Sequence, residues 1–196
     1  MMVDGPLVPR FDREFFGAEN TFTRIGGGAL GGKASGLARV REEILSRLDP
    51  EEFPYIEVSV PTATVLTTEL FDSFIHRNRL EDIASSDLPD DRIAHAFQQA
   101  ELPAEHVGDL RALISCVHTP LAVRSSSLLE DDLDHPFAGI YGTKMVPNNE
   151  IEEDARVNRL LEAIKFVYAT TFFAESKANL RAIAVHPGWA RVAVDV

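Results

Sequence analysis

Apolar residues recur at three- and four-residue intervals directly after a glycine-rich stretch near the start of the chain. Leu37, Val40, Ile44 and Leu48 have this spacing directly after the stretch TFTRIGGGALGGKASG at 21–36. The spacing places them along one side of a helix, which we predict between Lys33 and Leu48. The glycines therefore form a loop that leads into a helix.

The middle of the chain predicts a strand followed by several helices. IEVSVP at 56–61 has the β-branched residues of a strand, which Pro61 would end. Thr67 and Thr68 are suited to cap the start of the next helix. The apolar side of that helix consists of Leu70, Phe71, Phe74 and Ile75. The same periodicity predicts helices at about 92–100 and 105–117.

Beyond Pro120 the pattern changes to short strands and turns. LAVR at 121–124 predicts a strand, and the polar stretch SSSLLEDDLDH at 125–135 predicts a turn. FAGIYGTKMV at 137–146 has the aromatic, glycine and β-branched residues of a hairpin. This part of the chain is therefore predicted to be a second functional segment.

The last third of the chain predicts helices and a final strand. Asn148 or Asn149 can cap a long helix that extends to about Ala174, and another helix should precede Pro187. ARVAVDV at 190–196 reads as a strand with an unpaired apolar edge. Such an edge suggests that the chain is a piece of a longer protein.

Composition narrows the class of protein. With 196 residues, the chain is long enough for one substantial core or two small ones. No apolar run is long enough for a membrane span, and Pro, Asp and Arg interrupt the N-terminal stretch MMVDGPLVPRFDREFF where a signal peptide would be apolar. Cys116 is the only cysteine, so no internal disulfide can form and a cytoplasmic location is expected.

The net charge of −12 argues against nucleic acids and anionic membranes as partners. Binding to nucleic acid or to an anionic membrane requires a basic face, which this acidic chain lacks. Any phosphate group must therefore be bound by a few local cations. A lysine or arginine beside glycines or hydroxyl groups is thus a more informative signal here than in a basic protein.

Two phosphate-binding patterns overlap in the glycine loop, and neither is complete. Gly26, Gly28 and Gly31 match the dinucleotide fingerprint G-x-G-x-x-G, but no acid follows the second predicted strand to bind a ribose. The P-loop pattern fails because Ala34 follows Lys33 where a hydroxyl group should hold magnesium.

Lys33 leaves two interpretations of the loop open. The loop can be an ordinary turn, with Lys33 solvated on the first turn of the following helix. However, the helix dipole already places about half a positive charge at this end, so an added lysine is unfavourable without an anion nearby. The second interpretation therefore predicts a phosphate held jointly by Lys33 and backbone N–H groups.

Arg124 is the second candidate cation. It lies at the end of the strand predicted at 121–124, where its guanidinium offers a bidentate donor to a phosphate. The three serines that follow add weaker donors. The acidic run after them either binds a divalent ion or forms a solvated face that pairs with Arg124. The run consists of Glu130, Asp131 and Asp132.

Several blocks in order connect these features to a known family. They are GGKASGL, VPTATVLTTELFDSF, AVRSSSLLEDD, FAGIYGT and AIKFVYATTFFAESKANLR. Together they resemble the N-terminal nucleotide-binding region of phosphoenolpyruvate synthase and pyruvate phosphate dikinase, from about Gly26 to the last residues. The resemblance implies an α/β (α+β), ATP-grasp-like fold, present here as an incomplete N-terminal portion, with the nucleotide between two lobes.

The resemblance also implies roles for individual residues. Lys33 corresponds to the lysine of the family's glycine loop and Arg124 to the arginine of its VRSS block, so both should contact ATP phosphates and act in catalysis. Glu130 and Asp131 match the family's ED pair, and its FAG-x-x-x-T loop, which packs over the phosphates, ends here at Thr143. The residues expected to bind the nucleotide are Gly31, Gly32, Lys33, Arg124, Ser125, Ser126, Glu130, Asp131, Gly139 and Thr143. The implied cofactors are ATP and Mg²⁺, with no metal ligand assigned.

The implied function is phosphoryl transfer from ATP·Mg to a histidine on a downstream domain and then to pyruvate or a similar acceptor. The expected partners are downstream phosphohistidine and phosphoenolpyruvate/pyruvate domains of a parent chain, so the isolated chain should not turn over. Residues 1–20 are expected to be an N-terminal extension. Residues 21–196 form the nucleotide-binding part, with a glycine-loop segment (21–118) and a VRSS/FAG segment (119–196).

One departure from the family pattern keeps an alternative open. Ser127, Leu128 and Leu129 stand where the family has Ala-Thr-Ala. The chain can therefore be a non-catalytic, regulatory nucleotide-binding module of a larger signalling protein. A third hypothesis is an enzyme with a different phosphoryl acceptor.

Overall fold

The computed structural model describes residues 8–14, 22–49, 51–52, 54–127, 141–182 and 192–196. The strands in these ranges are β1 (Phe22–Ile25), β2 (Ala63–Leu66), β3 (Leu121–Ser127), β4 (Thr143–Val146) and β5 (Val192–Asp195). They form one five-stranded sheet in the order β1-β2-β5-β3-β4. Helices pack on both faces of the sheet, so the chain has the predicted mixed α/β architecture.

Strand direction determines which loops meet at each edge of the sheet. β1 and β2 run parallel, with Phe22 opposite Ala63, whereas the other neighbouring strands pair antiparallel. The carboxyl ends of two parallel strands lie at the same edge. The glycine loop after β1 and the helix after β2 therefore begin side by side.

The helices match most of the predicted positions. They are α1 (Gly32–Arg39), α2 (Thr68–Arg77), α3 (Glu81–Ser85), α4 (Asp90–Gln99), α5 (Ala104–Cys116), α6 (Glu153–Thr170) and α7 (Ala174–Ala182). α1 continues as a π-helical turn (Val40–Ile44) and a 3-10 turn (Leu45–Arg47), so the predicted helix between Lys33 and Leu48 is confirmed as one helical segment of changing pitch. α3 is a short helix that the periodicity did not indicate.

One face of the sheet carries a helical layer with an aromatic core. Phe74 of α2, Phe97 of α4 and Tyr168 of α6 are fully buried. The ring centroid of Phe74 lies 5.8 Å from that of Phe97 and 5.5 Å from that of Tyr168. Large aromatic side chains contribute most to core energetics through the area that they bury. This layer therefore holds α2, α4 and α6 together.

The opposite face carries α1 and a smaller apolar cluster. Its buried members are Val8, Phe22, Leu30, Ala34, Ala38, Val65 and Ala193. Most of these side chains are short, so the backbone of α1 lies close to the sheet. The glycine loop leads into α1 on this face.

The strand predicted at 56–61 is wrong in position. These residues form no strand, and the strand of this region is β2, which begins after Pro61 and Thr62. Ile56 and Val58 are exposed and line a surface groove with Leu45 and Leu48. The β-branched residues at 56–61 thus mimic a strand, but the buried side chains that fix the sheet register belong to β2.

The turn predicted for the serines after Arg124 is also wrong. β3 continues through Ser127, and all three serines are buried. β3 pairs with β5 along this stretch, from Arg124 opposite Asp195 to Ser127 opposite Val192. Backbone pairing and close packing therefore override the low strand propensity of serine.

The final strand differs most from the expectation. β5 is not an unpaired edge but lies in the middle of the sheet, antiparallel to both β2 and β3. The alternating apolar residues of the closing stretch identify a strand but not its neighbours. The prediction of an exposed apolar edge was therefore wrong.

The long helix predicted from Asn148 or Asn149 to Ala174 is split. α6 begins after Glu152 and ends at Thr170, and Ala174 starts α7. Asn148 has a left-handed backbone (φ 55°), and its side-chain amide donates to the carbonyls of Val117 and Thr119. This asparagine therefore fixes a loop and does not cap a helix. The proposed hairpin is described only through β4, because residues 128–140 lie outside the described ranges.

Candidate functional site

The glycine loop, residues 26–31, lies at the carboxyl end of β1 and packs against the first turn of α2. The backbone N–H of Ala29 donates to Thr68 Oγ1 at 3.0 Å, and the N–H of Thr68 donates to the carbonyl of Ala29 at 3.0 Å. Thr67 also donates its N–H to the carbonyl of Ile25 at 3.1 Å. Two backbone–backbone bonds and one bond to a side-chain hydroxyl thus join the end of β1 and the loop to the start of α2.

Two charged side chains hold the first part of the loop. Nη1 of Arg24 donates to the carbonyl of Gly26 at 2.7 Å, and its Nε donates to the carbonyl of Val8 at 3.2 Å. The N–H of Gly27 donates to Oε2 of Glu69, in the first turn of α2, at 2.5 Å. The loop amides at Gly27 and Ala29 are therefore bound by α2, unlike a P-loop, whose amides face a phosphate.

The end of the loop packs on β3. Gly31 has φ +77°, and a Cβ atom there would lie 1.7 Å from the carbonyl oxygen of Ser126. Only glycine allows both this backbone conformation and this approach. The N–H of Ala34, in α1, donates to Ser126 Oγ at 3.0 Å. The loop and the start of α1 are thus fixed on a strand more than ninety residues away in sequence.

Lys33 extends along the same strand. It is half-buried, and its Nζ donates to the carbonyl of Ser125 at 3.1 Å. A lysine ammonium has three N–H donors, so this bond is compatible with a contact to a phosphate. Because Ser125 follows Arg124 directly, the bond places the ammonium of Lys33 beside the backbone of the second candidate cation.

Arg124 lies on the same face of the sheet as α1. Side chains alternate along a strand, so Arg124 points to the same side as Ser126, about 7 Å along the strand. Thr143 of β4 is opposite Arg124 in register, so its exposed side chain lies beside Arg124 on that face. The guanidinium is half-buried and has no hydrogen-bond or ion-pair partner among the described residues.

Lys165, a half-buried cation in the helical layer, provides a contrast. Its Nζ donates to the carbonyls of Gln98 and Ala100, at 2.7 and 3.2 Å, near the end of α4. Burial lowers the pKa of this ammonium. Its donors are thus used within the fold, in the favourable position at a helix C-terminus. The guanidinium of Arg124, without such partners in the described residues, is better suited to an external anion.

The structure brings together most of the predicted site residues that it describes. Gly31, Gly32, Lys33, Arg124, Ser126 and Thr143 lie along the second half of β3 on the α1 side. Arg124 was predicted at the end of a strand but is the central residue of β3. Ser125 contributes its carbonyl from β3, while its side chain points to the other face. Glu130, Asp131 and Gly139 lie outside the described ranges.

The two candidate cations, Lys33 and Arg124, lie on the same strand region, because Lys33 bonds the carbonyl next to Arg124. An ammonium and a guanidinium are donors of the kind that bind anions such as phosphate. Within the part of the chain that is described, no group of three or more His, Cys, Asp or Glu side chains could hold a metal ion.

Arg24, Thr68 and Glu69 contact the glycine loop, which was not predicted from the sequence. Thr67 is the first residue before α2, as predicted, but its side chain forms no capping bond, and Thr68 uses its hydroxyl on the glycine loop. Their contacts with the loop could not be predicted because the pairing of β1 with β2 was not known from the sequence. With β2 placed after Pro61 and parallel to β1, the Thr-Thr-Glu sequence lies at the same sheet edge as the glycines.

Comparison with known proteins identifies the family of the chain. Along the described ranges, each helix is too short or too polar to cross a lipid bilayer. No curated protein matches the chain closely enough to count as a relative. The family model described as the AMP/ATP-binding domain of pyruvate phosphate dikinase matches residues 28–194, which include the glycine loop, β3 and β5. The sheet with helices on both faces is consistent with the ATP-grasp-like fold expected for that domain, and the chain belongs to this family.

Proposed function

We propose that the chain is the ATP-binding portion of a phosphotransferase similar to phosphoenolpyruvate synthase or pyruvate phosphate dikinase. Phosphate would pass from ATP·Mg to a histidine on a downstream domain and then to pyruvate or a similar acceptor. The observation that carries the proposal is the position of Lys33. Its ammonium bonds the carbonyl of Ser125, directly beside Arg124, although the two cations are far apart in sequence.

Both cations act on the phosphate groups of the nucleotide. Lys33 supplies a flexible ammonium at the start of α1, where the helix dipole also favours an anion. Arg124 supplies a planar donor that can bind two phosphate oxygens at once. Phosphoryl transfer depends mostly on positioning and on charge neutralisation. Placing both cations beside β3 before the nucleotide arrives serves both requirements.

The rest of the site positions these two groups. Gly31 lets the loop approach β3, and Ser126 holds the start of α1 through the N–H of Ala34. Thr143 is the described end of the loop proposed to cover the phosphates. Bound ATP would supply the transferable phosphoryl group, and Glu130 and Asp131 are the residues of this chain proposed to lie near its Mg²⁺.

Titration of ATP·Mg by calorimetry tests the proposal. Lys33→Ala and Arg124→Ala should each weaken binding by about 10- to 100-fold, because a charge-assisted hydrogen bond contributes roughly 1.5–3 kcal/mol. Lys144→Ala is a matched control, because it removes one positive charge from the adjacent position of β4 on the opposite face. Wild-type affinity in both Lys33→Ala and Arg124→Ala would refute the assigned roles.

The alternative function is a regulatory module that binds the nucleotide without transferring phosphate. The observation in its favour is the sequence at 127–129, where Ser127, Leu128 and Leu129 replace the family's Ala-Thr-Ala. ATP binding is expected in both cases, so phosphorylation of a histidine in the parent protein distinguishes the two functions.

The domain bounds are also proposals from the sequence. Residues 1–20 are proposed to be an extension and residues 21–196 this domain. A cytoplasmic location is proposed on the same basis.

A further inference from the structure

Glu69 is a charged residue that the proposed function does not use. It lies exposed in the first turn of α2, and its Oε2 accepts the N–H of Gly27 at 2.5 Å. A carboxylate bound to a backbone N–H forms a stronger bond than a neutral acceptor. An exposed glutamate at this position would otherwise be solvated, so its bond to a loop 42 residues earlier is a specific structural contact.

The bond completes a set of contacts between the glycine loop and α2. Thr68 exchanges two hydrogen bonds with Ala29, and Glu69 binds Gly27, so two consecutive residues of α2 hold the loop over 27–29. The loop then reaches Gly31, where it contacts β3 and leads into α1. The position of Lys33 relative to β3 therefore depends on how the loop is held on α2.

Glycine loses more conformational freedom on ordering than any other residue. A loop with several glycines samples many conformations unless hydrogen bonds restrict it. When the folded protein already holds the loop, the loss of freedom does not reduce the affinity for a ligand. Without the Glu69 bond, part of this ordering would accompany ligand binding and weaken it.

We propose that Glu69 is a positioning residue of the nucleotide site, which fixes the glycine loop so that Lys33 is presented to the phosphates. This inference rests on the proposed function. A competing role, in which the carboxylate repels the nucleotide, is disfavoured by geometry. The N–H of Gly27 is directed at α2, whereas Lys33 and Arg124 lie on the β3 side of the loop.

Two substitutions remove the contact from opposite sides. Glu69→Ala removes the carboxylate. Gly27→Ala leaves Glu69 in place but puts a Cβ atom 2.3 Å from Oε2, and the φ of Gly27 lies outside the left-handed region. The carboxylate, at the end of a flexible side chain, would then move away. Glu69→Gln keeps an acceptor, and Asp91→Ala removes an exposed acid from the first turn of α4 as a control.

The experiment combines amide hydrogen exchange over 26–31 without nucleotide and calorimetric titration of ATP·Mg into the same variants. Glu69→Ala and Gly27→Ala should each raise exchange about tenfold and weaken ATP binding about fivefold, as expected when ordering is shifted to the binding step. The double variant should be no weaker than either single one, because both remove the same contact. Glu69→Gln should recover most of the loss, and Asp91→Ala should match the wild type.

The outcomes separate this inference from the proposed function. ATP binding by the wild type that Glu69→Ala leaves unchanged or strengthens overturns the positioning role alone. Faster exchange in Glu69→Ala together with no ATP binding by the wild type refutes the proposed function, and a role in nucleotide binding with it. Additive losses in the double variant would show that the two substitutions act on different contacts and would also overturn the inference.

Discussion

The two faces of the sheet are ordered by different interactions. On the helical face, large aromatic side chains such as Phe74, Phe97 and Tyr168 pack against one another. On the α1 face, the glycine loop is ordered mainly by hydrogen bonds, and at Gly31 the backbone lies so near β3 that a Cβ atom would not fit. Substitutions on the first face should therefore lower the stability of the fold most, whereas those on the second should lower it less and also change the geometry of the candidate site.

The largest loss of stability is expected from a substitution in the aromatic core. Phe74→Ala should lower the free energy of unfolding by about 3–5 kcal/mol, because it leaves a cavity among packed rings. Urea denaturation measures the change. Ile151→Ala is the control, because Ile151 is 99% exposed and its truncation should have almost no effect. A loss below about 1 kcal/mol in Phe74→Ala would contradict the assignment of stability to this face.

A smaller effect is expected at the contact between the loop and β3. Gly31→Ala should cost about 2–3 kcal/mol, because alanine disfavours a positive φ and its Cβ would overlap the carbonyl of Ser126. Gly36→Ala is the matched control. Gly36 lies within α1 with no atom within 4 Å of an added Cβ, so the change should raise stability by about 0.5–1 kcal/mol. Thermal unfolding of both variants provides the comparison, and equal shifts would show that the close approach is unimportant.

Loss of one hydrogen bond on the α1 face should lower the free energy of unfolding by a smaller amount. Ser126→Ala leaves the buried N–H of Ala34 without its acceptor, which should lower stability by about 1–2 kcal/mol. Hydrogen exchange of the Ala34 amide should rise in parallel. Ser85→Ala, at an exposed serine, should stay within about 0.5 kcal/mol of the wild type. Unchanged exchange at Ala34 would mean that another group anchors α1.

The smallest effect is expected for a single hydroxyl group in the aromatic core. The phenol of Tyr168 is fully buried, has no hydrogen-bond partner among the described residues, and has its pKa raised by burial. Tyr168→Phe should therefore leave stability at pH 7 unchanged or raise it by up to about 1 kcal/mol. A decrease in the free energy of unfolding of more than about 1 kcal/mol would show that the hydroxyl group forms a hydrogen bond.

The same phenol predicts a pH dependence. In the unfolded chain a tyrosine ionises near its ordinary pKa of 10.0, whereas the folded state disfavours ionisation of Tyr168. The unfolded state therefore loses its proton first, and the stabilising contribution, present below pH 10, falls as the pH rises above it. Urea denaturation at pH 9 and pH 11 should show a smaller loss in Tyr168→Phe than in the wild type.

The sequence predicted individual helices better than it predicted which strands pair in the sheet. The helical segment after Lys33 and the apolar side of α2 follow from periodicity, because a helix face is defined within a few turns. The strand predicted at 56–61 failed because β-branched residues occur there without burial. The central position of β5 could not be predicted, since the pairing of strands depends on contacts distant in sequence.

The candidate site shows the same division. Lys33 and Arg124 were identified because each has an unusual local context, and the family resemblance assigned them to one ligand. Only the fold shows that the ammonium of Lys33 bonds the carbonyl of Ser125, next to Arg124 in the chain. Glu69 had no distinguishing local context, because a glutamate in the first turn of a helix is common. Only the parallel pairing of β1 and β2 shows that it meets the glycine loop.

The central position of β5 has a consequence for the order in which the molecule assembles. β5 is the strand that connects the β1–β2 pair to the β3–β4 pair. During synthesis, the glycine loop and Arg124 therefore emerge long before the strand that draws them together. Sheets closed by such distant segments fold slowly. The proposed nucleotide site should accordingly be among the last parts of the protein to become ordered, after the aromatic layer of helices has collapsed.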